Sequence, residues 1–268
     1  MCGVGELELA FSYSRPPKGE TKFNLGRGKY RREYWRCQRC GHYRSNHQID
    51  LSDLYRREYM RATYGGWLKK RFEEIVALPE AKSDNAGRVK RITSFVAGET
   101  VLDVGSGLCV FLYGMEKAGW RGTALDPDET ACRQAREVVG VETVCEDFMR
   151  AERLGKYDLV AFNKVLEHVA DPVAMLSRAK KWVGKGGLVY VEVPDGEFAA
   201  RDSKGKEREE FFIEHEHVFS APSLALLIRR SGFFLRLMGR LLEPSGKYTL
   251  WAFGRRAGDT VDFAKTDG

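Results

Sequence analysis

The chain has 268 residues, 43% of them apolar and 31% charged, with a formal charge of +6. That length can bury one α/β core plus a small appended unit, and the balance is that of a folded globular protein rather than a disordered or fibrous one. The sequence holds no run near the roughly 18 apolar residues of a membrane span, and its start lacks the basic-then-apolar layout of a signal peptide, so a cytoplasmic protein is expected.

Residues 1–50 read as irregular, rich in Gly, Arg and Lys, and close on Tyr34-Trp35-Arg36-Cys37-Gln38-Arg39-Cys40-Gly41-His42. Cys-x-x-Cys-Gly after a short strand has the form of a zinc knuckle, two thiolates on one tight turn that share a tetrahedral metal. Cys2-Gly3 repeats the end of such a knuckle, so the expected ligand set is Cys2, Cys37 and Cys40 with His42 or His47. A thioredoxin-like redox pair fits less well, because no βαβ pattern surrounds the motif. Cys109, Cys132 and Cys145 fall in apolar surroundings and are expected as buried free thiols. Residues 1–70 hold 15 Lys/Arg against 7 Asp/Glu, so the basic excess belongs to this end. It would suit a phosphate-bearing partner such as RNA, DNA or a nucleotide-sugar, and equally a solvated surface.

Residues 51–98 form a helical cap in this reading, with one helix across 51–78, broken near Gly65-Gly66, and a second over 86–96. From 99 onward strands alternate with helices, the pattern of a parallel sheet. Strands are expected at 100–104, 121–125, 141–145, 157–162 and 187–193, with helices near 108–119, 128–138, 172–183 and 221–231. A closing pair, about 233–240 and 247–254, flanks Glu243-Pro244-Ser245-Gly246. The charged stretch 196–210 interrupts the alternation and is a candidate mobile lid. The domain reading is therefore 1–50, 51–98 and 99–257, with a frayed tail over 258–268.

Val101-Leu102-Asp103-Val104-Gly105-Ser106-Gly107 reads as a buried strand, an acidic end and a tight glycine turn into a helix. Such a turn brings backbone close to a ligand at a helix N-terminus. Asp126 follows Gly107 by 19 residues, a spacing that suits ribose hydroxyls. A dinucleotide fingerprint wants glycine at 110, where Val110 stands, and Asp103 would repel a pyrophosphate. Both departures favour S-adenosylmethionine, which has a ribose, an adenine and an ammonium but no phosphate. In an open parallel sheet ligands sit past the carboxyl ends of the strands. Those ends collect Asp103, Gly105, Gly107, Asp126, Glu146-Asp147-Phe148, Asn163-Lys164, Glu167-His168 and Pro194-Asp195.

Together with Leu125-Asp126-Pro127 and Asn163-Lys164-Val165-Leu166-Glu167-His168-Val169-Ala170-Asp171-Pro172, this series resembles the motifs of class I S-adenosylmethionine-dependent methyltransferases. The Leu-Glu-His-Val-x-Asp-Pro stretch and the later Glu214-His215-Glu216-His217-Val218-Phe219-Ser220 resemble the ubiquinone-type O-methyltransferase and sugar C-methyltransferase branch. The resemblance covers 99–254 and implies a Rossmann-like, seven-stranded α/β sheet. It implies Asp103, Gly105 and Gly107 at the methionine end, Asp126 on the ribose, Asp147 on the adenine amino group, Phe148 against its ring and the Asn163 backbone by the ammonium. It places His217 as base, with His168, His215 and Glu216 as further catalytic candidates, and a helix bearing Tyr59 over the cofactor. The sugar enzymes carry a further domain after the fold and a full cysteine set, both missing from the motifs here. The leading function is methyl transfer to oxygen or carbon of a sugar, lipid-linked or natural-product acceptor. An RNA methyltransferase using the basic end, and a non-catalytic module that binds cofactor and recruits a partner through the knuckle, are the alternatives.

Overall fold

The structure, a computed structural model, describes residues 1–3, 5–20, 30–47 and 68–257. The expected helix over 51–78, its glycine break, Tyr59 and the tail lie wholly or mostly outside the described residues; only its end, α1 (Leu68–Val76), falls within them.

Seven strands form the larger sheet: β4 (Thr100–Val104), β5 (Arg121–Asp126), β6 (Glu142–Cys145), β7 (Tyr157–Asn163), β8 (Val183–Pro194), β10 (Phe233–Leu242) and β11 (Tyr248–Arg256). Their spatial order is β10-β11-β8-β7-β4-β5-β6. The strands β6, β5, β4, β7 and β8 run parallel, and β11 enters antiparallel between β8 and β10. This is the seven-stranded Rossmann-like sheet that the motifs implied.

The parallel strands read as unbroken apolar runs because both faces are covered. In β7, Val160 and Phe162 point to one face, where they join Leu176, Leu224, Leu227 and Ile228. Leu159 and Ala161 point to the other, where they meet Ile92, Phe111, Leu112 and Met115. The first layer is built by α5 (Pro172–Arg178) and α7 (Ala221–Arg230), the second by α2 (Asp84–Phe95) and α3 (Val110–Lys117). The helix α4 (Glu129–Gln134) follows β5, and α6 (Gly196–Arg201) follows β8. Several helices are shorter than expected, for local reasons. Cys109 is left-handed at φ 63 and delays α3, and the 172–183 helix gives way to a 3-10 turn at Ala179 before β8 begins at Val183.

Where residues 1–50 are described, they are not irregular throughout. β1 (Leu7–Tyr13), β2 (Arg32–Cys37) and β3 (Tyr43–His47) form an antiparallel sheet, completed by β9 (His217–Val218) from far along the chain. The alternation Leu7-Glu8-Leu9-Ala10-Phe11-Ser12-Tyr13 was the available signal for β1, and the sheet is packed by aromatic side chains. Tyr13, Tyr34, Tyr43, Phe211 and Val218 form its small core. The lid candidate 196–210 is folded into α6 and two short 3-10 turns between the sheets, with Ala199 and Glu210 buried. Tyr13 Oη donates to the Lys206 carbonyl at 2.7 Å, and Arg208 pairs with Glu210 at 2.8 Å. Cys132 and Cys145, expected as free thiols, are joined in a disulfide between α4 and the end of β6, with their Cα atoms 5.8 Å apart. Their 13-residue separation hid a pairing that only the β5–α4–β6 crossover creates.

Candidate active site

The glycine bend lies where β4 ends. Gly105 and Gly107 adopt φ +72° and +50°, a region L side chains avoid. A Cβ on Gly105 would come within 2.8 Å of Val165, so this glycine lets the β7 loop close on the bend. Gly105 N–H donates to the Leu125 carbonyl at 2.8 Å, which ties the bend to β5. Asp126, at the end of β5, accepts from Gly107 N–H at 3.0 Å and from Asp128 N–H at 2.9 Å. Burial raises its carboxyl to about 6 against those two bonds. Asp103 is buried, accepts from the Asn163 side-chain amide at 2.8 Å, and is pushed by burial to about 7. The Asn163 Oδ1 and Ser106 Oγ atoms are buried with no hydrogen-bond partner among the described residues. Two raised carboxyls and two orphaned oxygens thus line one bend, a donor-hungry arrangement that a ligand with N–H and O–H groups would satisfy.

Asp147 sits in the turn after β6, where one carboxylate oxygen accepts from Met149 N–H at 2.8 Å. Phe148 departs from its implied place. It is 2% exposed, packed edge-on against Phe162 at 5.5 Å in the core, so its ring face is not presented to a ligand.

The four histidine and glutamate candidates divide into two groups. His217 lies on β9 beside Val169 and Ala170 of the loop after β7; its Nδ1 is 2.9 Å from His42 Nε2, and His42 Nδ1 is 3.3 Å from Ser223 Oγ. Burial lowers His217 to about 4 and pushes His42 well below the usual histidine range. Both rings are therefore committed to the junction between sheets, and His42 does not turn to the cysteines. Glu216 is half-buried, with its carbonyl accepting from Ser45 N–H at 2.9 Å. His168 and His215 instead face each other, ring centroids 4.9 Å apart. His168 Nδ1 lies 2.8 Å from the Glu214 carbonyl, and His215 Nδ1 lies 2.9 Å from the Glu210 carbonyl. A carbonyl only accepts, so each Nδ1 carries the proton and each Nε2 keeps its lone pair. Glu167 completes the group, with one ligating atom from each of the three residues inside 4.8 Å. Burial lowers His168 to about 4 and raises Glu167 to about 8, so the imidazoles are neutral and the carboxyl protonated near pH 7.

Behind this trio is a buried polar wall. Arg88 of α2 grips Glu192 of β8 through two bonds, of 2.9 and 2.5 Å, and Tyr190 Oη donates to the same carboxylate at 2.8 Å. Burial alone would raise Glu192; the guanidinium overrides it and holds the group at about 2. Lys164, left-handed at φ 58, reaches Thr249 Oγ1 at 2.7 Å. Glu243, in the turn between β10 and β11, is raised to about 7 by burial and by Glu192. The sequence reading passed over Arg88, Glu192 and Glu243, because one lies on a helix before the fold, one within a strand and one in the last turn. A charged residue inside an otherwise apolar β8 was the available signal.

In the N-terminal sheet, the sulfurs of Cys2, Cys37 and Cys40 gather within 4.8 Å of one another, Cys2 and Cys37 at 3.4 Å. Gly5 permits this, since a Cβ there would overlap the Cys37 sulfur. Three of the basic residues described nearby are paired with acids: Arg31 with Glu33, Arg32 with Glu20 and Arg36 with Glu8. Among the described residues no helix is long and apolar enough to cross a membrane.

Comparison with known proteins agrees with this geometry. A family model described as a methyltransferase domain matches residues 67–236. The ubiquinone biosynthesis O-methyltransferase of Caulobacter vibrioides is 34% identical over 101 residues, covering 35% of this chain and 40% of that protein. Its counterpart in Caulobacter sp. strain K31 is 34% identical over 122 residues, 43% and 46% of the two chains. The chain thus spans less than half the length of these relatives. Among solved structures, the magnesium protoporphyrin IX methyltransferase of Synechocystis PCC 6803 superposes with a TM-score of 0.55 at 15% identity, over 74% of this chain and 99% of that one. A Thermotoga maritima methyltransferase superposes at 0.58 with 18% identity, over 74% and 98%. The chain belongs to the methyltransferase domain family and has the class I, S-adenosylmethionine-dependent fold.

Proposed function

We propose that this protein methylates an oxygen of a small-molecule acceptor, using S-adenosylmethionine. The residues at the glycine bend fit that donor. Asp103 and the orphaned Asn163 oxygen suit its ammonium, Asp126 suits two ribose hydroxyls, and Asp147 suits the adenine amino group. When bound, the donor supplies an electrophilic methyl on a sulfonium. The chain's own residues align an acceptor hydroxyl and take its proton. Nε2 of His215 or of His168 accepts that proton, each held in the receptive tautomer by a backbone carbonyl. Protonated Glu167 is placed to donate to a neighbouring acceptor oxygen, and the Arg88–Glu192–Tyr190 wall keeps the surroundings polar but ordered. The observation that carries this reading is the convergence of two neutral imidazoles and a protonated carboxyl around the loop after β7, the strand whose end carries Asn163 bonded to Asp103. An acceptor carbon remains the alternative within the same site. The test is transfer of labelled methyl from the donor to a library of hydroxylated small molecules. Transfer that His215→Gln and His168→Gln both abolish, with donor binding intact, is expected. Donor binding without transfer to any class would favour the non-catalytic module.

The three thiols support a second proposal, a structural zinc that pins the chain start to the β2–β3 turn. They supply three of the four ligands such a site takes. Metal analysis of the purified protein should find about one zinc per chain; metal-free folded protein would end this idea.

A further inference from the structure

Residues 211–216, which carry His215, form a strap between the two sheets, and the N-terminal sheet supplies its hydrogen bonds. The Phe211 carbonyl accepts from the Arg32 guanidinium at 2.5 Å. The Phe212 and His215 carbonyls lie 3.1 and 2.5 Å from the Tyr34 hydroxyl, their shared donor. Ile213 N–H donates to Glu20 at 2.8 Å, and the Glu216 carbonyl accepts from Ser45 N–H. Behind these contacts Arg32 and Glu20 pair at 2.9 Å, both side chains shut off from solvent, with the guanidinium 4.1 Å from the Tyr13 ring centre. Tyr30 Oη donates to the second Glu20 oxygen at 2.7 Å.

A buried ion pair is a weak source of stability, since apolar packing of equal volume serves as well or better. What this one supplies is fixed donors and acceptors. They are aimed at a strap that carries His215, whose ring also meets the Glu210 carbonyl and the His168 ring. The groups facing His215 are His168 and Glu167 after β7, Lys164 at the β7 end, and Lys247 from the β10–β11 turn.

We propose that Tyr34, backed by Arg32 and Glu20, is a positioning residue: it fixes the backbone of residues 211–215 so that His215 faces His168 and Glu167. On this view the N-terminal sheet is a buttress of the acceptor side. The inference rests on the proposed function only for the statement that His215 works on the acceptor.

Nitrogen-15 spectra of the histidine rings in the full chain, followed from about pH 4.5 to 8, test it. In the unaltered protein His215 should stay neutral, with Nδ1 protonated, across that range. In Tyr34→Phe its signals should move and its midpoint climb by about one unit or more towards 6.5, while His42 and His217 keep theirs. A folded Tyr34→Phe protein with an unchanged His215 tautomer and midpoint overturns the proposal. Should Tyr34→Phe fail to fold, Glu20→Gln, which keeps an acceptor for Ile213 N–H, is read in the same way. Unfolding of both would assign the network to stability and overturn the positioning role. The catalytic reading fails separately: methyl transfer that survives His215→Gln removes His215 from the reaction without touching the spectroscopic result.

Discussion

The two halves of the candidate site are built by different means. Most of the proposed donor half comes from a contiguous piece of chain, residues 103–126, tied together by Gly105 N–H to the Leu125 carbonyl and Gly107 N–H to the Asp126 carboxylate, with Asp147 and Asn163 added from the ends of β6 and β7. The acceptor half is assembled from three distant sources: the end of β7, the strap at 211–216, and the N-terminal sheet that pins the strap. A donor common to the whole fold can be served by a local, self-contained motif. The acceptor side is the part that varies, and here it is made of elements whose arrangement depends on the entire chain.

Substitutions break this comparison wherever their effects cross from one half to the other. The largest effect expected is on turnover: His215→Gln or His168→Gln should cut methyl transfer by about 10²- to 10⁴-fold while donor affinity by calorimetry stays within about twofold. Next, Arg88→Met removes the two-bond partner of the buried Glu192 carboxylate, leaving Tyr190 Oη and Arg91 at 3.7 Å, and should cost up to about 3–5 kcal/mol of stability in denaturant titrations; adding Glu192→Gln should restore much of it. Asp126→Ala should weaken donor binding by about 10- to 100-fold with little change in stability. Unchanged affinity there would remove the ribose assignment. The smallest effect is on pH dependence. Asp103 and Asp126 hold protons in the folded chain that the unfolded chain has released, so ligand-free stability should fall as pH rises from about 4 to 7. Glu192 acts in the opposite sense, its contribution vanishing only as pH drops from about 4 towards 2. Donor binding should therefore strengthen from pH 5 to 8, because the ionised carboxyls meet its ammonium and hydroxyls.

The same contrast explains what could be read in the residues. The parallel strands were legible because each is a short apolar run closed by a polar end. The glycine bend and Asp126 were legible because their spacing is local. Lys164 and Glu167 were located at a strand end without roles, and His168 as one of several candidate bases. His217 was named ahead of His215 because only the start of β9 decides which ring joins His168 and which joins His42. Phe148 carried the right position but faces the core, since the turn after β6 directs its ring towards Phe162. Of the N-terminal sheet only the short strand before Cys37 was expected, and its closing strand, β9, was out of reach because it lies far downstream.

That last pairing bears on how the protein is made. Tyr43 is registered with Val218, so the edge of the first sheet stays uncovered during synthesis until most of the polypeptide has left the ribosome. An open strand rich in aromatic neighbours is an invitation to pair with another nascent chain. The acceptor side is thus completed last, and truncated or stalled products should aggregate through their first residues rather than accumulate as half-active enzymes.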